Sequence, residues 1–268
     1  MITYPIFSYS LPAQIKFDFP IISIEHAEYL ITYDHTYQLD STYDFKRSSD
    51  MLLFVGKNSS KFISEEWFRV DTIMRKIVNM QEFNQLNMNP NKPIPRRRYT
   101  IWKNYPEKGK LTFVGSAMDT FEYTESLNLF NWKLLSDTDT LQGYPVQKAT
   151  CKFGGRKWEA WFTTEIPYND GPYKFNGLPG LIIKVFDNKH NYVFEMVKIE
   201  KIESEMMIDK VEKDYIIKTT KKGFQRARKN FWGNIDIRAK EAGLGRKVQK
   251  HVLRVASQRN NPIELLPE

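Results

Sequence analysis

The chain has 268 residues, enough for one large domain or two small ones, and 41% of them are hydrophobic, the content of a packed globular protein. No segment approaches the ~20 apolar residues of a helical membrane span, and a single cysteine, Cys151, excludes an intrachain disulfide. The formal net charge is +8 but unevenly placed: residues 221 to 259 hold twelve Lys/Arg against two acidic residues, so an acidic partner is to be sought at that end.

In chain order, the opening Met1-Ile-Thr-Tyr-Pro-Ile-Phe7 has neither the basic start nor the long apolar run of a secretory signal. Residues 20 to 39 alternate in part and are rich in Ile, Tyr and Thr, which predicts one long strand or two short ones. Asp40 to Asp50 is polar and loop-like. Met51-Leu-Leu-Phe-Val-Gly56 reads as a short buried strand, followed by Ser59 to Ser64. Ser64 can cap a helix whose first turn holds Glu65 and Glu66, which suit the positive end of the dipole. Trp67, Val70, Ile73, Met74, Ile77, Met80 and Phe83 recur at helical spacing, predicting one amphipathic helix over about 64–86, packed on a sheet.

Asn84 to Arg98 is a loop or lid that ends in Arg96-Arg97-Arg98. A charge run is normally a solvated face. Nucleic-acid binding needs aromatics interleaved with more basic residues, so nucleic acid is not an expected partner. Tyr99–Trp102, Leu111–Val114, Phe121–Tyr123 and Leu129–Leu135 have the spacing of a β-meander. Val146–Phe153 and Arg156–Thr163 flank Gly154-Gly155, a two-residue hairpin signal. On the second of these strands Trp158 and Trp161 point to opposite faces, one to the core and one to a ligand or covering structure.

Three glycines and two prolines then fall between Gly171 and Gly180, the density of a tight loop. Turn chemistry there predicts a positive φ at Gly177 or Gly180. Leu181–Phe186 follows as a buried strand. Asp187-Asn-Lys-His-Asn191 turns the chain into another long strand, Tyr192–Ile202. From Tyr215 the sequence becomes polar, basic and helix-friendly. Gly223, Gly233, Gly243 and Gly245 are expected to break it into short helices, with apolar residues anchored on the core and Lys and Arg outward.

The run Gly177-Leu-Pro-Gly-Leu-Ile182 resembles the signature of the GLPGLI family, envelope proteins of Bacteroidetes-type bacteria with no agreed activity. The likeness extends to the Met-Leu-Leu strand with its following Ser-Lys-Phe, to Gln147-Lys-Ala, to Gly155-Arg-Lys-Trp-Glu-Ala-Trp-Phe162, to Glu165-Ile-Pro and Gly171-Pro, and to the tail Asn260-Asn-Pro-Ile-Glu264. Where the family often has a cysteine before Gln-Lys-Ala, this chain has Val146, so no thiol role carries over. The resemblance implies a periplasmic or cell-envelope protein; with no signal visible, the sequence is either a mature form or one that is not exported.

Catalytic chemistry finds little support. Cys151 lacks an assignable base and reads as a small hydrophobe. His26, His35, His190 and His251 are scattered, without metal-ligand spacing, so no metal and no cofactor are expected. Glu165, Asp170 and Asp187 flank the central loop and suit either acid/base work or turn capping. The expected fold is mainly β: one domain with a curved antiparallel sheet, one amphipathic helix on it over residues 1–220, and a basic helical C-terminus, 221–268. The expected function is binding or carriage of a lipid or peptide ligand. Trp158, Trp161, Phe162, Tyr173, Phe175, Gly177, Gly180 and Arg156 are the candidate binding residues. Lys221, Lys222, Arg226, Arg228 and Lys229 are the candidate contacts to an anionic membrane or acidic partner. The competing classes are an accessory subunit of an outer-membrane complex of the TonB-dependent type, and a hydrolase using the loop carboxylates.

Overall fold

The computed structural model describes residues 19–265; the opening heptapeptide, read for a secretory signal, lies outside the described residues. The chain forms one large curved, open sheet. Its first half is β1 (Ile21–Tyr37), β2 (Arg47–Gly56), β3 (Ser60–Ser64), β4 (Tyr99–Lys103), β5 (Lys110–Ala117) and β6 (Asp119–Ser126). Its second half is β7 (Lys133–Leu141), β8 (Tyr144–Phe153), β9 (Arg156–Thr163), β10 (Leu181–Asp187) and β11 (Tyr192–Lys201). Two short strands complete it, β12 (Met207–Val211) and β13 (Ile217–Lys218). The order is β13-β6-β5-β4-β3-β2-β1-β11-β10-β9-β8-β7, with β12 paired to the start of β1. All pairs are antiparallel except the two-residue contact of β13 with β6. The long β1 is the hinge of this order, because it alone joins the N-terminal meander to the C-terminal one.

Both faces of the central strands are covered. In β2, Met51, Leu53 and Val55 join the larger core, while Leu52 and Phe54 join a smaller cluster on the other face. That explains its unbroken apolar run, since a strand buried on both faces has no polar side to alternate with. The smaller cluster is roofed by α1 (Glu65–Met74), through Trp67 and Phe68, and by Ile208 of β12. The larger core is roofed by Phe130, by the loop between β9 and β10, and by α3 (Lys221–Gly233). Two further helices, α4 (Ile235–Glu241) and α5 (Arg246–Ser257), follow α3.

Four expectations change. The single helix over 64–86 is two, α1 and α2 (Met80–Met88). Ser64 caps the first, accepting from Trp67 N at 3.2 Å. Asn79 caps the second, accepting from Glu82 N at 2.9 Å, while Glu82 accepts from Val78 N at 3.0 Å. This reciprocal cap restarts the helix where apolar spacing alone would continue it. Arg47–Asp50, read as loop, is strand, paired with Tyr37 to Asp34 of β1. There Arg47, Ser48 and Asp50 face solvent while Ser49 turns inward, so polar residues do not oppose pairing. Leu129–Trp132 is not strand; it folds over the sheet and lays Phe130 5.1 Å from the Phe175 ring. Gly223 does not break a helix but lies in the first turn of α3, its N–H capped by Thr220 Oγ1 at 3.1 Å. No described helix is long and apolar enough to cross a membrane.

Candidate functional site

The loop between β9 and β10 packs into the larger core, and buried cations hold it there. The Lys103 ammonium, 2% exposed, pairs with Asp170 and donates to Gly171 O at 2.6 Å and Phe175 O at 2.9 Å. Tyr33 donates to Ile182 O at 2.7 Å, and Trp132 Nε1 to Asn176 O at 2.9 Å. Both predicted glycines have positive φ, +87° at Gly177 and +144° at Gly180. A Cβ on Gly180 would stand 1.9 Å from Thr163 O, so the backbone needs glycine there, while the space beside Gly177 is open.

The C-terminal tail locks onto this loop. Lys174, fully buried, reaches Glu264 Oε1 and Glu125 Oε1, each at 2.6 Å. Tyr173, in left-handed backbone at φ +55°, donates to Glu264 Oε1 at 2.5 Å. Burial alone would raise the Glu264 pKa, but Lys174 and Lys221 overcome it and hold the carboxyl at about 2. Arg156 pairs with Asp187 at 2.8 Å and donates to Asn261 Oδ1, Pro262 O and Ile263 O. Gly154 and Gly155 form the β8–β9 turn with φ of +56° and +74°, and the tail residues Glu264 and Leu265 lie directly against them. The separate sequence motifs therefore meet at one place, around the tail.

Beside that lock lies an open basin of about 510 Å³. The volume falls within the range of small-molecule sites. Tyr99 and Phe113 of the sheet form its floor. Tyr173 and Tyr192 contribute one wall, and Phe224, Phe231 and Trp232 of α3 another. Six arginines line it: Arg47, Arg96, Arg97, Arg98, Arg228 and Arg259. The Arg97 guanidinium lies 3.4 Å over the Tyr37 ring, and that of Arg259 4.3 Å over Trp232. Among the described residues none of the six forms an ion pair. Burial lowers the Arg259 pKa, and the charges of Arg97, Arg47 and Arg228 lower it further. Below the rim, His35 stacks on Phe194 at 3.9 Å with both ring nitrogens buried and unpartnered.

The structure distributes the sequence candidates over four environments. Trp158, Phe162 and Phe175 are core residues, at most 1% exposed. Arg156 holds the tail, and Gly177 and Gly180 shape the loop. Trp161 is partly buried and lines a shallow outer groove with Phe186 and His190, on the face opposite Trp158. Tyr173 alone among them reaches the basin. Of the basic candidates, Arg228 turns into the basin and Lys221 pairs with Glu264 at 2.6 Å, while Lys222, Arg226 and Lys229 are exposed. Asp170 and Asp187 are engaged by Lys103 and Arg156, apart from Glu165. Burial pushes the Cys151 thiol up to about 12. No group of side chains suited to a metal ion occurs among the described residues. Sequence reading missed the basin because its arginines come from four separate segments. The Arg96–Arg98 run was the one local signal, and it read as a solvated face.

A family model described as a protein of unknown function (Porph_ging) matches residues 154–184. That stretch runs from the β8–β9 turn through the central loop into β10. No curated protein matches the chain. Among solved structures, PNGF-II in its P21 and C2 crystal forms aligns over 76% of this chain, with a TM-score of 0.50 and 14% and 15% identity. The alignment takes in 34% and 33% of PNGF-II, so this chain spans about a third of that protein, and the likeness is one of fold alone. A LolA superfamily protein from Nitrosomonas europaea aligns over 68% of this chain and 90% of its own, at 8% identity and a TM-score of 0.28.

Proposed function

We propose that this protein is a non-catalytic binding or carrier protein of the cell envelope, and that its ligand is an amphipathic molecule, a lipid or a peptide, held in the basin. The carrying observation is the basin itself: an aromatic floor and walls with cations at the rim, at the volume of a ligand site. Such a surface accepts an apolar body by burial and a polar end by charge. Of the carboxylates that a hydrolase would use, Asp170 is engaged by Lys103 in holding the loop and Asp187 by Arg156 in holding the tail, which leaves Glu165 without a carboxylate companion. The family match includes Gly177–Ile182, which supports GLPGLI membership and, through it, an envelope setting. A titration with an apolar fluorescent naphthylamine tests this reading. Saturable binding should be seen in the intact protein and lost in Ala117→Trp, which fills the basin from the end of β5. Binding that ignores this substitution would contradict it.

The second reading, docking to an anionic membrane or an outer-membrane protein, is supported by a specific surface. On α3 to α5, Lys222, Arg226, Lys229, Lys247 and Lys250 are exposed beside Ile237 (50% exposed), Val248 (47%) and Leu253 (44%). The two readings are compatible, since a carrier must meet its donor and acceptor surfaces.

A further inference from the structure

We infer that the ligand of the basin carries a phosphoryl group, and that Arg97, Arg228 and Arg259 bind it, with Arg47 alongside. This rests on the basin being a binding site. It goes further by naming the chemistry of the polar end.

The first observation is a contrast within the chain. Elsewhere, every buried cation among the described residues has a carboxylate partner, as does half-buried Arg75. Lys61 has Asp209 at 2.8 Å, Arg75 has Asp71 and Asp209 at 2.5 Å, Arg156 has Asp187 at 2.8 Å, and Lys210 has Glu122 at 3.0 Å. Lys103 and Lys174 are paired as well. Around the basin four arginines converge without a counter-charge among the described residues, Arg97 and Arg228 half-buried and Arg47 and Arg259 at its exposed edge. They arrive from the start of β2, the loop before β4, the middle of α3 and the turn just past α5. Their mutual repulsion is felt at Arg259. An assembly that raises its own charge density at one place is destabilised until an anion binds there.

The second observation is at atomic level. Nε and Nη2 of Arg97 are buried and have no hydrogen-bond partner. Leaving charged donors unmet in a buried position is costly, and native structures rarely do so without a reason. The guanidinium carbons of Arg97 and Arg259 lie over aromatic rings, those of Tyr37 and Trp232. That contact engages the face and leaves the Nε–Nη2 edge of Arg97 free. Such an edge is a planar fork that matches phosphate oxygens two at a time.

Charge chooses between anions. A carboxylate brings one negative charge and two oxygens. A phosphomonoester brings about −1.5 to −2 and three strong acceptors. Four convergent guanidiniums are better neutralised by the second. The aromatic floor and wall next to them, Phe113, Phe224 and Phe231, then receive the apolar part of the same molecule.

The test is isothermal titration calorimetry of the full chain with four probes: a short-chain phosphatidic acid below its micellar concentration, inorganic phosphate, decanoate and the uncharged decanol. Phosphatidic acid should bind about tenfold or more tighter than decanoate, weaken with added salt, and lose about tenfold in Arg97→Gln and in Arg259→Gln. Both variants should keep the far-UV circular dichroism and melting temperature of the parent, which shows that lost affinity is not lost fold. Inorganic phosphate binding as tightly as the lipid, with the same loss in the variants, also supports the inference and identifies free phosphorylated small molecules as the source. Decanoate equal to phosphatidic acid, or phosphatidic acid binding that ignores both substitutions, overturns it. Decanol binding without any phosphoryl preference overturns the inference but leaves the binding role standing. No binding of any probe overturns both.

Discussion

Lys174 and Glu264 are joined at 2.6 Å, one in the central loop and the other in the C-terminal tail, and both are almost fully withdrawn from solvent. The pair ties the central loop of the family-like sequence pattern to its C-terminal tail and sets one wall of the basin in place through Tyr173. Breaking a buried pair strands a charge, at a cost of about 3–5 kcal/mol. Lys174→Met should therefore lower the stability in urea by that order, well beyond Lys222→Met on the exposed side of α3. Equal effects of the two substitutions would show that the lock does not hold the fold.

The same pair sets an acid limit. Glu264 is held at about 2 against an ordinary 4.5. A depressed carboxylate contributes its stability fully above pH 4.5 and loses it as pH falls toward 2. The melting temperature of the parent should fall more steeply across that window than that of Glu264→Gln, which starts lower. Parallel curves would rule out Glu264 as the titrating group.

His35 sets a second limit, at higher pH. Burial, and after it the charge of Arg97, depresses its pKa well below 6.5, and no hydrogen bond meets either nitrogen. The folded protein keeps the ring neutral while the unfolded chain protonates it. Stability is thus fully present above pH 6.5 and declines below it, by up to about 1.4 kcal/mol per pH unit. His35→Phe preserves the stack on Phe194 and should abolish this part of the decline between pH 7 and pH 5. A parent and variant that soften equally in thermal melts would contradict the assignment.

The two loop glycines should separate cleanly. Gly180→Ala meets Thr163 O and cannot be accommodated without moving β9, so its cost should exceed about 3 kcal/mol, the upper range for local backbone strain. Gly177→Ala meets open space and pays only for its φ of +87°, about 1 kcal/mol. Chemical denaturation that ranked them the other way would show that the loop is not held as described.

For membrane docking, the informative residues are Lys222, Arg226 and Lys229, because Lys221 is paired inward and Arg228 faces the basin. Each exposed cation near an anionic bilayer adds about 1 kcal/mol at low salt. Changing these three to Gln should release the protein from anionic vesicles in a sedimentation assay while leaving its affinity for basin ligands intact. Sedimentation unaffected by salt and by the substitutions would leave the basic face as a solvated surface.

Local chemistry was legible in the sequence. Gly154-Gly155 made the turn it promised, Ser64 capped its helix, and Gly177 and Gly180 took positive φ, because each depends on neighbours in the chain. Long-range structure was not. Met207–Val211 becomes a strand only because Ile21–His26 lies beside it. The helix over 64–86 broke at Asn79 because a side-chain cap outweighed a continuous apolar stripe. Arg97 looks like one of three solvated arginines until Tyr37 and Arg259 are placed around it. A charge cluster assembled from distant segments has no sequence period to betray it.

The most direct measurement is mass spectrometry of material extracted with organic solvent from the purified protein, comparing the parent with Arg97→Gln. The expected result is one class of anionic amphiphile, near one per chain in the parent and depleted in the variant. Absence of any bound small molecule in the parent, in a preparation that also fails to take up added ligand, would contradict a binding role for the basin.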